Sequence, residues 1–294
     1  MQPETVMLVC PLVAALIYVG SALLVKRASA CGVGVWRTVF VLNWIMAGIF
    51  SLLWLAGGTL HTELLWQPFV VAVLFVLGQM LQLLALDRGD VSVAVPLFGL
   101  KVLLVPLATA FVFQEPVPRN LWLSAILSLL GLTFLNRKDQ GRPPRNLGIT
   151  LLGGGLGALS FALVDVLVKE WSPAWGAGRF LPLAIGMGAV LSFALVPFFK
   201  APLSTIPRPV WRWLIPGGLL MGIQSVIFIS TVAIYGRATS ANILYSSRGL
   251  WSVLGVWLIG HWFANDEQNL GVRVLRWRLI GALFMMAAIV LVIV

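Results

Sequence analysis

Charge is what this sequence has least of. Only 10% of its 294 residues are Asp, Glu, Lys or Arg, against about 25% in soluble globular domains, and that shortfall excludes a water-soluble fold. Acids are the scarcer sign, with ten against 20 bases, so few carboxylates exist for metal binding or general acid/base work. The two histidines, His61 and His261, sit beside apolar runs with no ligand spacing around either, so no metal site and no cofactor is expected. Of the two cysteines, Cys10 opens the first apolar run and Cys31 follows its end. A helix between them would hold them roughly 30 Å apart, far beyond disulfide reach. A membrane-embedded lipid-modifying enzyme would need acidic or histidine clusters, and none is present, so the chain is not read as an enzyme.

What fills the sequence instead is apolar. Hydrophobic residues make up 60% of it and the mean hydropathy is +0.99, which marks an integral membrane protein. The net charge of +10 does not indicate nucleic acid, because the basic residues flank apolar runs rather than forming one solvated patch. Apolar runs of spanning length predict ten helices, at 6–25, 36–57, 68–87, 91–113, 120–136, 147–169, 178–199, 211–235, 238–260 and 277–294. The first has no basic residues ahead of it and no small-residue cleavage pattern, so it is not read as a signal peptide.

The most polar connection, around Asn136 to Asn146, divides the chain into residues 1–138 and 147–294 with a linker at 139–146. Five helices precede it and five follow. An odd number of spans per half turns the second half over in the membrane, so inverted repeats are expected, as in many transporters. Sequence echoes support the division. LLVKRA from Leu23 matches VLVKEW from Val166, pairing Lys26 with Lys169, and Arg37 then matches Arg179. A shift of 147 positions sets Gly89 on Gly236, Ser92 on Thr239, Ala94 on Ala241 and Lys101 on Arg248.

These last two cations are anomalous. Each falls near the middle of a predicted span, where a charged side chain costs at least about 2.5 kcal/mol and needs a partner or a polar cavity. On the face of Arg248, at helical spacing, stand Leu244, Tyr245, Trp251 and Ser252; the face of Lys101 is plainer, with Leu97, Phe98, Leu104 and Val105. The second half is therefore expected to supply most of the polar recognition. Gln79, Gln82, Gln224, Asn43 and Tyr18 can hydrogen-bond within the membrane, either to a substrate or between helices. Asp165 is expected to pair with Lys169 or Arg179, with a proton relay as the alternative, and Glu115 to cap the fifth helix. The run Gly153, Gly154, Gly155 and Gly157 reads as close helix packing, since a phosphate loop would need a preceding strand and a following Lys-Ser or Lys-Thr.

Ten short helices in two halves, the shared VLVK-type endings, Gly-Asp-Val-Ser-Val-Ala-Val-Pro leading into the fourth helix and Gln114-Glu115-Pro116 at its exit together resemble the drug/metabolite transporter superfamily, and within it the EamA-like branch. The resemblance implies that helices four and nine line a central cavity, which Lys101 and Arg248 then face. The expected function is transport of a small metabolite carrying an anionic group, phosphate or carboxylate, by alternating access. Its expected binding residues are Lys101, Arg248, Tyr245, Trp251, Ser252, Gln79, Gln224 and Tyr18, with Asp165 as the coupling candidate. An exporter of neutral or zwitterionic metabolites such as amino acids is the alternative, and a non-transporting scaffold a third reading.

The protein is expected in the cell (inner) membrane. Apart from the two central cations, 14 Lys and Arg lie on the side holding the linker and four on the other. The positive-inside rule then puts the linker in the cytoplasm and both termini outside, whereas the resemblance implies cytoplasmic ends.

Overall fold

The computed structural model describes residues 3–88, 91–135, 146–259 and 272–293, and the regular structure in them is helical. In chain order the helices are α1 (Pro3–Ala30), α2 (Val35–Phe50), α3 (Trp66–Arg88), α4 (Val91–Phe98), α5 (Lys101–Phe111), α6 (Arg119–Leu135), α7 (Leu147–Trp175), α8 (Ala177–Leu191), α9 (Arg208–Tyr235), α10 (Ala238–Ser246), α11 (Arg248–Ile259) and α12 (Val272–Ile293). Most of the predicted linker, together with Gly89, Asp90 and His261, lies outside the described residues. Among the described residues seven stretches are long and apolar enough to cross a membrane: Glu4–Ala30, Val35–Ala56, Thr62–Leu86, Leu147–Trp175, Ala177–Phe198, Arg208–Tyr235 and Arg276–Ile293. Large apolar side chains on the outer surface, such as Leu55 at 89% exposure and Phe111 at 76%, would be costly in water and suit lipid contact.

Three of the ten expected spans take another form. The runs at 91–113 and 238–260 are each broken in two, at Gly99–Leu100 and at Ser247. At the first break the amides of Gly99 and Leu100 donate back three residues, to the carbonyls of Pro96 and Leu97; at the second, Ser247 donates to Leu244. Such tightened turns interrupt the regular helical ladder. The run at 120–136 is the 17-residue α6, about 25 Å long. In the other direction, α7 continues six residues past the expected end at 169, to Trp175.

The packing has a repeating pattern. α1 lies along α9 as α7 lies along α3; α2 also packs on α9 as α8 packs on α3; and α2 meets α8 while α6 meets α12. Both α2 and α8 start after a glycine in nearly the same left-handed conformation, Gly34 at φ 78°, ψ 145° and Gly176 at φ 76°, ψ 142°, which a residue with a Cβ rarely adopts. Both also run on into 3₁₀ turns, Ser51–Ala56 and Ser192–Phe198. The arginines three residues after these glycines have parallel tasks. Arg37 donates to the carbonyls of Val33, Gly32 and Pro202 and to Thr205, while Arg179 donates to the carbonyl of Trp54 and lies over its ring.

The glycine run of α7 serves the seam with α3. A Cβ on Gly153 would come 2.7 Å from the carbonyl oxygen of Leu81, and one on Gly157 would come 2.8 Å from Cγ of Gln82. Close packing, as expected from the sequence, is what these two glycines provide.

Candidate substrate site

The two central cations open the second segments of the two broken helices: Lys101 is the first residue of α5 and Arg248 the first of α11. A helix start carries the positive end of the backbone dipole, so each cation sits where another positive charge is unfavourable. Their surroundings then diverge.

Lys101 has a carboxylate. Its Nζ lies 2.7 Å from Oδ2 of Asp165 on α7, and Nδ2 of Asn242 on α10 donates to the same oxygen at 2.6 Å. Asp165 is only 2% exposed, so the pairing with Lys101 is what allows a charge to stay there. The expected pairing of Asp165 with Lys169 or Arg179 is thereby corrected. The reason is depth: because α7 runs on to Trp175, Asp165 lies ten residues before its end, just as Lys101 lies ten before Phe111. Lys169 is bound instead to Glu115 and, at 3.0 Å, to Glu170. Glu115 therefore serves as an ion-pair partner and not as the helix cap expected of it.

Arg248 has rings. Its guanidinium carbon lies 4.4 Å from the ring centre of Tyr245 and 5.0 Å from that of Tyr18. Among the described residues no carboxylate is in ion-pairing contact with it. The phenol of Tyr245 donates to Oε1 of Gln224 at 2.7 Å, and its ring packs against Phe228 at 4.5 Å and edge-on against Tyr18 at 6.2 Å. Cation and aromatic cluster thus hold each other without neutralising the charge.

Lys101, Asp165, Gln224, Ser225, Tyr245 and Arg248 form the polar part of a cavity of about 160 Å³. Its remaining wall is apolar, with Met46 and Phe50 of α2, Val71 and Phe75 of α3, Phe161 and Val168 of α7, Leu181 and Ile185 of α8, and Phe228 and Ile229 of α9. Of the residues expected at the site, Lys101, Arg248, Tyr245, Gln224 and Asp165 line this cavity together. Tyr18 reaches it only through its contacts with Arg248 and Tyr245. Gln79 is turned away and exchanges two 2.9 Å hydrogen bonds with Asn43. Trp251 packs beside the apolar core with its indole nitrogen buried and unpartnered, and Ser252, half-buried one position on, is not among the lining residues.

Sequence reasoning missed Asn242, Ser225 and the apolar wall. Asn242 stands three residues before Tyr245 on one short helix, a spacing that shares a face, so its position was available as a signal. The wall residues come from five helices and carry no such mark.

Residues 5–137 match the model of the EamA-like transporter family. Three curated relatives share the description probable 4-amino-4-deoxy-L-arabinose-phosphoundecaprenol flippase subunit ArnE. The chain is 34% identical to that of Pseudomonas fluorescens (strain Pf0-1) over 86 residues, covering 28% of this chain and 75% of the relative. The chain belongs to the EamA-like transporter family. For the relative in Pseudomonas savastanoi pv. phaseolicola identity is 39% over 25% of this chain and 64% of that one. For the relative in Pseudomonas syringae pv. syringae it is 41%, over 21% of this chain and 56% of that one. The matches thus take in under two-thirds of these last two relatives and about a quarter of this member of the family. A solved crystal structure with 16% identity superposes over 98% of both chains with a TM-score of 0.73. That likeness concerns the fold alone, and it extends the fold beyond the half of this EamA-like chain that the family model reaches.

Proposed function

We propose that this EamA-like protein is a membrane transporter that holds an anionic group of its substrate, phosphate or carboxylate, at Arg248. The observation that carries this reading is the charge balance of the cavity: two cations and two helix starts converge on it, with Asp165 as the one carboxylate in its lining. Asp165 neutralises Lys101, which leaves Arg248 as the group an incoming anion would satisfy. Interrupted helices whose starts face a bound anion are a recurrent device of transporters.

The cavity's size narrows the ligand. About 160 Å³ is below the roughly 300 Å³ at which sites for drug-sized ligands begin, so it suits a small metabolite or one head group. Its apolar wall, together with relatives named for a phosphoundecaprenol-linked sugar, favours a phosphate-bearing head group on a lipid over a freely soluble anion. The runner-up is a zwitterion, whose amine would face Asp165 while its carboxylate met Arg248.

Read with α4 and α5 as one crossing, α10 and α11 as another, and α6 as a short one, the chain has ten crossings in two inverted halves, 1–138 and 147–294. The paired packing of α1 on α9 and α7 on α3 supports that reading, and with it alternating access by rocking of the halves around the cavity. The inner membrane, with both termini outside, is the location the basic residues support. Since Asp165 is held by Lys101 and Asn242, exchange or facilitated movement is favoured over proton coupling.

Flux in proteoliposomes tests the function. Movement of a phosphate-linked lipid, or of a small organic anion, should be saturable in the wild type and lost in Arg248→Gln. Equal flux in the two proteins would sink the assignment of Arg248.

A further inference from the structure

A second cavity, of about 330 Å³, lies nearer one end of the molecule, along three of the helices that frame the central site. Thr109 of α5, Lys169 of α7 and the first residues of α10 line it, together with the 115–118 segment that leads into α6. Thr109 is two turns beyond Lys101 and Lys169 one turn beyond Asp165, so this cavity continues along the helices that carry the Lys101, Asp165 and Asn242 contacts. From the arrangement of Arg237, Thr239 and Thr109 around it we propose that it is a second binding site for a phosphate-type anion, occupied by the substrate before or after the central one. That its occupant is the transported substrate rests on the anionic reading of Arg248; the existence of an anion site here does not.

Three independent features point to an anion. The nine-residue α10 begins here, and Arg237 at its N-cap makes no side-chain capping hydrogen bond, so the amides of the first turn are free to donate to a ligand. The side chain of Arg237 is exposed and lines the same cavity. Thr109, only 6% exposed, has a buried hydroxyl without a hydrogen-bond partner, a group that costs stability unless something is there to meet it. Thr239 and Ser240, both buried, add hydroxyls to the lining on the first turn of α10. Lys169 is already matched by Glu115 and Glu170, so Arg237 and the α10 amides supply the attraction that is left over.

The full-length protein in phosphatidylcholine nanodiscs decides the matter with two probes. Inorganic phosphate is followed by phosphorus line broadening, and phosphatidylglycerol doped into the disc by retention in native mass spectrometry. Arg237→Gln combined with Thr239→Val should weaken at least one probe about tenfold, the loss of one charge-assisted contact, in the wild-type background and again in Arg248→Gln. Thr239→Val alone, nearly isosteric, should show a smaller loss in the same direction. Weakening of phosphate identifies a free anion as the ligand and weakening of phosphatidylglycerol alone a lipid head group; either supports the site. If neither probe responds to the double variant, or if Arg248→Gln alone abolishes all binding, the second site does not exist. If Arg248→Gln leaves flux intact while the double variant weakens binding, the central assignment fails and this one stands.

Discussion

Lys101 and Arg248 occupy matching places and live in different chemistry. Both start the second segment of a broken helix, and both lie in the wall of one cavity. Lys101 has an ion pair with a nearly buried carboxylate, while Arg248 has two phenol rings and no carboxylate among the described residues. A buried pair is weak evidence for a ligand, because each charge already has what it needs. A cation held by phenol groups still lacks an anion, since a cation–π contact is worth about 0.5 to 2 kcal/mol and leaves the charge in place. The first residue of α5 is thus paired within the fold, while the first residue of α11 is the one that the proposed function assigns to a ligand.

The sharpest way to break this comparison is at Asp165. Asp165→Asn leaves Lys101 buried without its counter-charge and should destabilise the protein by about 3 to 5 kcal/mol, read as a fall in the thermal unfolding midpoint in detergent. Replacing both partners, Lys101→Met with Asp165→Leu, should recover most of that loss. A double variant no more stable than Asp165→Asn would mean that the pair is not the unit proposed. The same variant bears on coupling: uphill accumulation driven by an imposed pH gradient and lost in Asp165→Asn would make the carboxylate a proton carrier after all.

At Arg248 the expected pattern is reversed. Arg248→Gln should cost little stability, but substrate affinity should fall about a hundredfold, the equivalent of about 3 kcal/mol for a bidentate charge-assisted contact. Binding measured by titration and stability measured by unfolding separate the two effects. If Arg248→Gln unfolds the protein as Asp165→Asn does, the two cations are alike and the contrast disappears.

How much of this could be read from the sequence follows from what each feature depends on. The apolar runs and the two central cations are written locally, in composition and spacing; α3 and α9 follow their runs closely, while α1 continues five residues past its expected end, to Ala30. The breaks before Lys101 and Arg248 were not legible, because a tightened turn at Gly99 or Ser247 changes no hydropathy. Nor was the Asp165 partnership. The apolar run ends that span at 169, yet α7 continues through Glu170, Ser172 and Pro173 to Trp175. Six further residues leave Asp165 ten residues from the helix end, as Lys101 is from Phe111. Glu115 misled for a related reason: a carboxylate ahead of prolines reads as a cap, and only the folded chain brings Lys169 to it.

A smaller effect tests the aromatic side of the Arg248 site. Tyr245→Phe keeps the ring beneath the guanidinium but removes the donor to Gln224, leaving a buried amide oxygen unmatched at a cost of about 1 to 3 kcal/mol. If Gln224 is held for the ligand, Gln224→Leu in the Tyr245→Phe background should regain stability without regaining affinity. Recovery of both would show that this hydrogen bond is internal packing only.

The smallest expected effect lies in the other half, where Gln79 of α3 and Asn43 of α2 satisfy each other through paired hydrogen bonds of 2.9 Å. Gln79 was as plausible a ligand contact as Gln224 when only its residue type and its place in an apolar run were known. Its amide is claimed by Asn43, as Lys101 is claimed by Asp165, so both of these polar groups are occupied within the fold. Interhelical hydrogen bonds within membranes average about 0.6 kcal/mol, so Asn43→Leu with Gln79→Leu should lower stability by about that much and leave substrate affinity unchanged. A loss of affinity comparable to that of Arg248→Gln would extend the site into α2 and α3 and return the first half to a direct part in recognition. Unchanged affinity, beside a hundredfold loss at Arg248, would leave recognition to Arg248 and its neighbours, with α2 and α3 supplying only apolar wall through Met46, Phe50, Val71 and Phe75.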